Sequence, residues 1–373
     1  VERSKDKRAG RRVGSFLACA ALCVWAGSAA AQPFGAASQQ ELDSALTAYV
    51  PVNGLSGRVS IAGSETMAPL MTKLVAHFTH QHPETKFAVE SVGSSQAIRE
   101  FLLGISYQRR GDKARGRGTE GASHTALLAS SRPLSEKERK GFAFNHGYEP
   151  LEIPIAMDAV AIYVNNENPI QGLTLGQVDA IFSTTEKRGM HAISTWDQAG
   201  LQDGWSKQPI HLYGRDKNSG TRYFFEHVAL LGGSLKPEVR EQPGSASEIL
   251  AIAQDRLAIG YAGSGYNTSL VRMVPLANQT GGHYILPSAE SVRDHSYPLA
   301  RPLFLYVNKD PKDKHDPIVE EFLKFVNSRQ GQEIVMRANF YPLTGSQVAK
   351  NLQTLGLTDT VAQSGMTVST DLR

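Results

Sequence analysis

Cysteine is nearly absent from this chain. Of 373 residues only Cys19 and Cys23 are cysteines, and both fall in one apolar N-terminal run. Past that run no disulfide framework and no cysteine-based metal site is available. The run itself, Val13 to Trp25, is too short to span a bilayer comfortably. Excess charge is scarce too. The formal net charge is +3, and residues 1–31 hold six basic and two acidic residues, so the remainder carries −1. That balance excludes an argument from basicity to nucleic acid. A Gly-x-Ser-x-Gly elbow at a strand–helix turn, with Asp and His later in order, is also missing, which counts against a secreted serine hydrolase. With 41% hydrophobic and 20% charged residues the chain is globular rather than disordered, and long enough for two domains.

The N-terminus reads as an export signal. Arg3, Lys5, Lys7, Arg8, Arg11 and Arg12 precede the apolar run, and Ser28-Ala29-Ala30-Ala31 supplies small residues for cleavage after Ala31. A periplasmic or secreted protein is expected. Neither cysteine follows the Leu-x-x pattern of a lipid anchor, and the surroundings of Arg11-Arg12 fit twin-arginine export poorly.

From Gln32 to Gly57 runs a lead-in with one amphipathic segment, marked by Leu42, Leu46, Tyr49 and Val50. Beyond it apolar strands alternate with helical periodicity. Strands are predicted at 59–61, 87–89, 151–164, 210–213, 257–261 and 303–307. Helices are predicted after Thr66, after Ser94, near Ser219 and over 318–326. The alternation implies an α/β protein with mostly parallel sheets.

Four stretches place Gly, Ser or Thr where a strand hands over to a helix: Gly63 to Thr66, Gly93 to Ser95, Ala129 to Arg132, and Gly214 to Thr221. The first turn of a helix has unpaired N–H groups and partial positive charge, so each such end can hold an anion. Any one of them alone reads as an ordinary N-cap. Ser64 is assigned that role, and Ser245-Ala246-Ser247-Glu248 reads as a capping box. Thr66, Ser94 and Ser219 together with Arg215 suggest more, since Arg forks onto two oxygens of a phosphate and a cap needs no such neighbour. His77, His80 and His82 cluster, but read as surface histidines at a helix end rather than metal ligands. The segment from Tyr107 to His124, with five basic residues among its glycines, reads as a basic surface loop.

On these residues the chain resembles the periplasmic phosphate-binding component of Pst-type phosphate ABC transporters, from about Tyr49 to Thr344. The likeness rests on Gly63-Ser64-Glu65-Thr66, Gly93-Ser94-Ser95, Ser130 to Pro133, Met157 to Val160, Tyr213 to Thr221, Trp196 and Ile259 to Gly263. The Arg-x-x-x-Ser-Gly-Thr element is its most specific part. The resemblance implies two α/β lobes joined by two crossovers, with residues 32–156 and 298–373 in one lobe and 157–297 in the other. It implies a monomer with no cofactor, no metal and no enzymatic chemistry, partnered by phosphate and a membrane permease. Thr66, Ser94, Ser131, Arg132, Asp158, Arg215, Ser219, Gly220 and Thr221 are its implied phosphate-binding residues. One departure stands out. Better-known members carry Asp where this chain has Ser131, and that Asp accepts a hydrogen bond from the protonated oxygen of phosphate and repels fully ionised sulfate. Asp158 is the candidate replacement acceptor, with a hinge hydrogen bond as the other role open to it. Another oxyanion, such as sulfate, molybdate or arsenate, is the alternative ligand.

Overall fold

The computed structural model describes residues 41–104, 126–314 and 316–357. The expected export signal and the basic segment 107–124 lie outside the described residues. The first half of the fold comprises β1 (Gly57–Gly63), α1 (Ala68–Gln81), β2 (Thr85–Ser91), α2 (Ser94–Leu102), β3 (Leu127–Ser130), α3 (Glu136–His146) and the long β4 (Leu151–Asn165). There follow β5 (Leu173–Thr174), α4 (Leu175–Phe182), β6 (His211–Arg215), α5 (Gly220–Phe224), β7 (Arg240–Gln242), α6 (Ser245–Gln254) and β8 (Ala258–Gly263). The last elements are β9 (Val271–Val274), β10 (Leu276–Ala277), α7 (Ala289–Arg293), β11 (Ala300–Val307), α8 (Pro317–Val326), α9 (Arg329–Arg337) and α10 (Gly345–Thr354).

Nine of the strands form one curled sheet in the order β2-β1-β3-β11-β4-β8-β6-β7, with β9 also paired to β4, while β5 and β10 pair apart as a parallel two-stranded sheet. Pairing is parallel among β1, β2 and β3, and again among β6, β7 and β8. It turns antiparallel only where β4 and β11 take part. Those two strands make the architecture two-lobed. The first part of β4 pairs with β11 as far as Ala159, and its last residues, from Val160 on, pair with β8 and β9. One unbroken run of buried residues from Ile155 to Asn165 therefore serves both halves of the sheet, which explains why it reads as continuously apolar.

Each lobe has its own core. In the first, Leu70, Met71, Leu74 and Phe78 of α1 pack with Phe322 and Phe325 of α8 against β1, β3 and β11. Ile98, Phe101 and Phe142 cover the other face. In the second, Val178, Ile181, Phe182, Trp196 and Phe225 cover one face of β4 and β8, and Ile249 and Ile252 the other. The predicted strands and helices all appear. Two local expectations change. The lead-in from Glu41 to Ser56 forms no helix or strand; it lies as a strap with Leu46 and Tyr49 buried and Val50 69% exposed. His82 is also buried rather than at the surface, because its ring Nε2 meets the Tyr49 hydroxyl at 2.8 Å, while His77 and His80 are exposed. Among the described residues no group of three or more potential ligands could hold a metal ion, and no helix is long and apolar enough to cross a membrane.

Candidate functional site

The ends of β1, β2 and β3 from one lobe face the ends of β6 and β8 from the other. In open α/β sheets ligands bind beyond such strand ends. Thr66 and Thr221 join the lobes directly, with 2.9 Å between their hydroxyl oxygens. Nearby the Ser95 N–H donates to the Asn218 carbonyl at 3.0 Å. Ser64 donates to the Ser131 hydroxyl at 2.9 Å, and Ser94 Oγ lies 3.2 Å from the same atom. A Cβ placed on Gly220 would come within 2.5 Å of both Ser94 Oγ and Ser131 Oγ, so only glycine lets the start of α5 come this close. All of these hydroxyl side chains are buried.

Arg215 ends β6 and is 2% exposed. Its Nη1 donates to Ser245 Oγ at 2.7 Å, and its Nη2 pairs with Glu65 Oε2 at 2.8 Å across the seam. Its Nε is buried without a partner. Ser219 is the N-cap of α5 and accepts from the N–H groups of Thr221 and Arg222, so its hydroxyl already has the cap's work. A surface hollow lined by Val52, Leu55, Lys309 and Glu320 shares none of these residues.

The crossover strands contribute the deepest charges. Asp158 on β4 is fully buried, and its Oδ2 accepts from Arg301 Nε at 3.0 Å and Nη2 at 2.7 Å. Nη2 of Arg301 also donates to Thr221 Oγ1 at 3.0 Å. Burial raises the Asp158 carboxyl above the ordinary aspartate value, with Arg301 pulling the other way.

Thr66, Ser94, Ser131, Asp158, Arg215, Ser219, Gly220 and Thr221 thus come to one seam. Arg132 is placed differently. Both its terminal nitrogens bond the Glu138 carboxylate at 2.8 Å, and its guanidinium lies 4.2 Å from the Tyr223 ring centre. Burial pushes the Glu138 carboxyl up, but Arg132 and the Ser135 N–H bring it below the usual range, so the positive charge is already neutralised.

Three local expectations need correction. Ser131 does not open a helix: β3 stops at Ser130, and α3 begins only at Glu136 with Ser135 as its N-cap. Ser64 makes no side-chain cap bond and joins the hydroxyl cluster instead. Ser245 is the first residue of α6, not its cap, because extended Gly244 takes that position and donates its N–H to Ser247. That frees the Ser245 hydroxyl for Arg215. Sequence reasoning also passed over Glu65 and Arg301. The signal for Arg301 was an arginine in the run Tyr297-Pro-Leu-Ala-Arg301-Pro-Leu-Phe, since a charge in a buried strand requires a partner.

Residues 35–330 match the model of the PBP superfamily domain. The chain is 37% identical over 325 residues to the phosphate-binding protein PstS of Pseudomonas aeruginosa, covering 87% of this chain and 95% of that one. The chain belongs to the Pst-type phosphate-binding proteins. A more distant relative of this type, PstS of Staphylococcus epidermidis, is 26% identical over 282 residues, 74% of this chain and 77% of its own. The fold is shared with a putative phosphate ABC transporter substrate-binding protein of Clostridium perfringens, at TM-score 0.61 and 23% identity over 77% of this chain and all of that one. It is shared too with a phosphate transport receptor of Vibrio cholerae, at TM-score 0.57 and 24% identity over 76% and 100%. Both bear out the two-lobed architecture expected of a Pst-type protein.

Proposed function

We propose that this protein binds inorganic phosphate between its two lobes and delivers it to a membrane ABC permease. The carrying observation is the convergence of Thr66, Ser94, Ser131, Thr221 and Arg215 at one buried seam, in a chain of the Pst-type family. Hydroxyl and guanidinium donors surround a tetrahedral oxyanion well, and Arg215 supplies the charge. The lobes are residues 32–156 with 298–373, and 157–297. The protein acts as a monomeric receptor without enzymatic activity, in the periplasm or outside the cell, after loss of its leader near Ala31.

Near neutral pH phosphate keeps a proton and sulfate does not, so selection needs an acceptor that sulfate cannot satisfy. Ser131 is uncharged. Asp158 is linked to the threonine pair through Arg301, and its Oδ1 is buried with no side-chain hydrogen bond. We assign the acceptor role to Asp158. Titrating the purified protein with phosphate and with sulfate by calorimetry tests the assignment of the ligand. Tight phosphate binding and weak sulfate binding are expected; equal affinities would make it a general oxyanion receptor.

A further inference from the structure

Asp158 and Arg301 are direct cross-strand partners on the two crossovers, in the next-to-last rung before β4 passes to the other half of the sheet. Both are fully buried, at 0% and 1% exposure. An arginine–carboxylate pair built for cohesion forks, each oxygen taking one N–H. This one does not. Oδ2 receives both Nε and Nη2, leaving Oδ1 and Nη1 buried without side-chain partners. A buried polar atom left unpaired is destabilising, and such atoms mark functional positions. The same Nη2 reaches Thr221 Oγ1, which touches Thr66 Oγ1, so the pair is wired into the seam.

We infer that Arg301 is a positioning residue for ligand selection: it keeps the Asp158 carboxylate ionised and engages only Oδ2, so that Oδ1 accepts a hydrogen bond from the O–H of a protonated oxyanion. This rests on the assignment of Asp158 as acceptor. The other titratable groups facing Asp158 are phenols: Tyr163 on β4, Tyr266 after β8, Tyr297 before β11 and Tyr341 after α9. Burial raises all four, so they remain uncharged and supply no counter-ion. The other cation sensed by Arg301 is Arg215. Without Arg301, burial acts on Asp158 with no paired cation opposing it. The carboxyl takes up a proton, becomes a donor, and no longer excludes sulfate.

The test is calorimetry of the full-length protein with inorganic phosphate and sulfate, from about pH 6 to about pH 9. Arg301→Gln is expected to lower the phosphate-over-sulfate preference at least about tenfold at neutral pH and to regain it as rising pH ionises Asp158. Asp158→Asn should lose the preference at every pH, and Arg301→Lys should keep most of it. If Arg301→Gln keeps the wild-type preference throughout while Asp158→Asn loses it, the acceptor stands and Arg301 has no part in selection. If Asp158→Asn keeps the preference, the acceptor assignment falls and this inference with it. One readout needs no folded Arg301 variant. The carboxyl carbon-13 resonance of Asp158, identified by its loss in Asp158→Asn, should show an ionised group in the wild type at neutral pH. A protonated carboxyl there would overturn the inference.

Discussion

Arg215 and Glu65 meet across the seam between the lobes, Nη2 to Oε2 at 2.8 Å, and the same carboxylate oxygen accepts the Ser245 N–H at 3.2 Å. Glu65 stands beside Thr66 in one lobe, whereas Arg215 and Ser245 belong to the other. The pair therefore does two things: it fixes where the guanidinium points, and it ties the lobes in their closed arrangement. Glu65→Gln should leave each lobe folded and make the phosphate-free protein more expanded. Small-angle scattering would reveal this, and an unchanged radius of gyration would deny Glu65 a part in closure. On the proposed binding mode Arg215→Ala leaves an oxyanion charge without its partner, which is expected to cost about 2–5 kcal/mol and to lower phosphate affinity at least about tenfold.

Gly220 permits the closed arrangement by having no side chain. Gly220→Ala would set a methyl within 2.5 Å of Ser94 Oγ and Ser131 Oγ, both in the opposite lobe. Alanine is a good helix former, so α5 itself should not suffer. The expected outcome is an ordinary thermal unfolding midpoint, at least about tenfold weaker phosphate binding, and no compaction on adding phosphate. Wild-type affinity in this variant would mean that the ligand is bound with the lobes further apart.

Arg132 tests whether proximity to the site implies a role in it. Its guanidinium holds Glu138 in the capping box of α3 and stacks on Tyr223. Arg132→Gln should reduce thermal stability by about 1–3 kcal/mol, the cost of leaving a hydrogen-bonded charge unpaired, while phosphate affinity changes less than about threefold. A large loss of affinity with unchanged stability would instead return Arg132 to the binding site.

Glu248 supports Arg215 from behind. Its Oε1 accepts the Tyr261 N–H at 2.9 Å, and the Tyr261 hydroxyl accepts the Arg215 N–H at 3.3 Å. Burial pushes the Glu248 carboxyl up to about 8 from the ordinary 4.5. In the window between these values the folded protein holds a proton that the unfolded chain has released. Stability from this group is therefore greatest below the unfolded value and falls as pH rises, by about 1.4 kcal/mol per pH unit, until the folded value is passed. Glu248→Gln removes that slope. Chemical denaturation of both proteins across the window should show the variant gaining on the wild type as pH rises; parallel curves would mean that Glu248 is ionised when folded.

Much of this molecule can be read from local pattern. The i, i+3, i+4 spacing of Leu70, Met71, Leu74 and Phe78 forms one buried helix face, and the apolar stretch of β4 declares a strand covered on both sides. Hydroxyl residues at the ends of β1, β2 and β6 were legible as well, because capping and anion binding use the same residue types at the same positions. Which of these tasks each residue performs was not legible. Ser64, Ser219 and Ser245 look alike in sequence, yet Ser219 caps α5, Ser64 bonds Ser131, and Ser245 bonds Arg215. The choice depends on what segments distant in the sequence bring within about 3 Å, and hydrogen bonds do not reach further. The same holds for the charges. Arg132 lies six residues from Glu138 and is claimed by it, while Arg301 and Asp158 are 143 residues apart and meet only because β4 and β11 pair in one register. Side-chain type and period determine the elements of this protein; the pairing of distant strands decides which polar groups face one another, since a buried charge takes the partner that the fold places beside it.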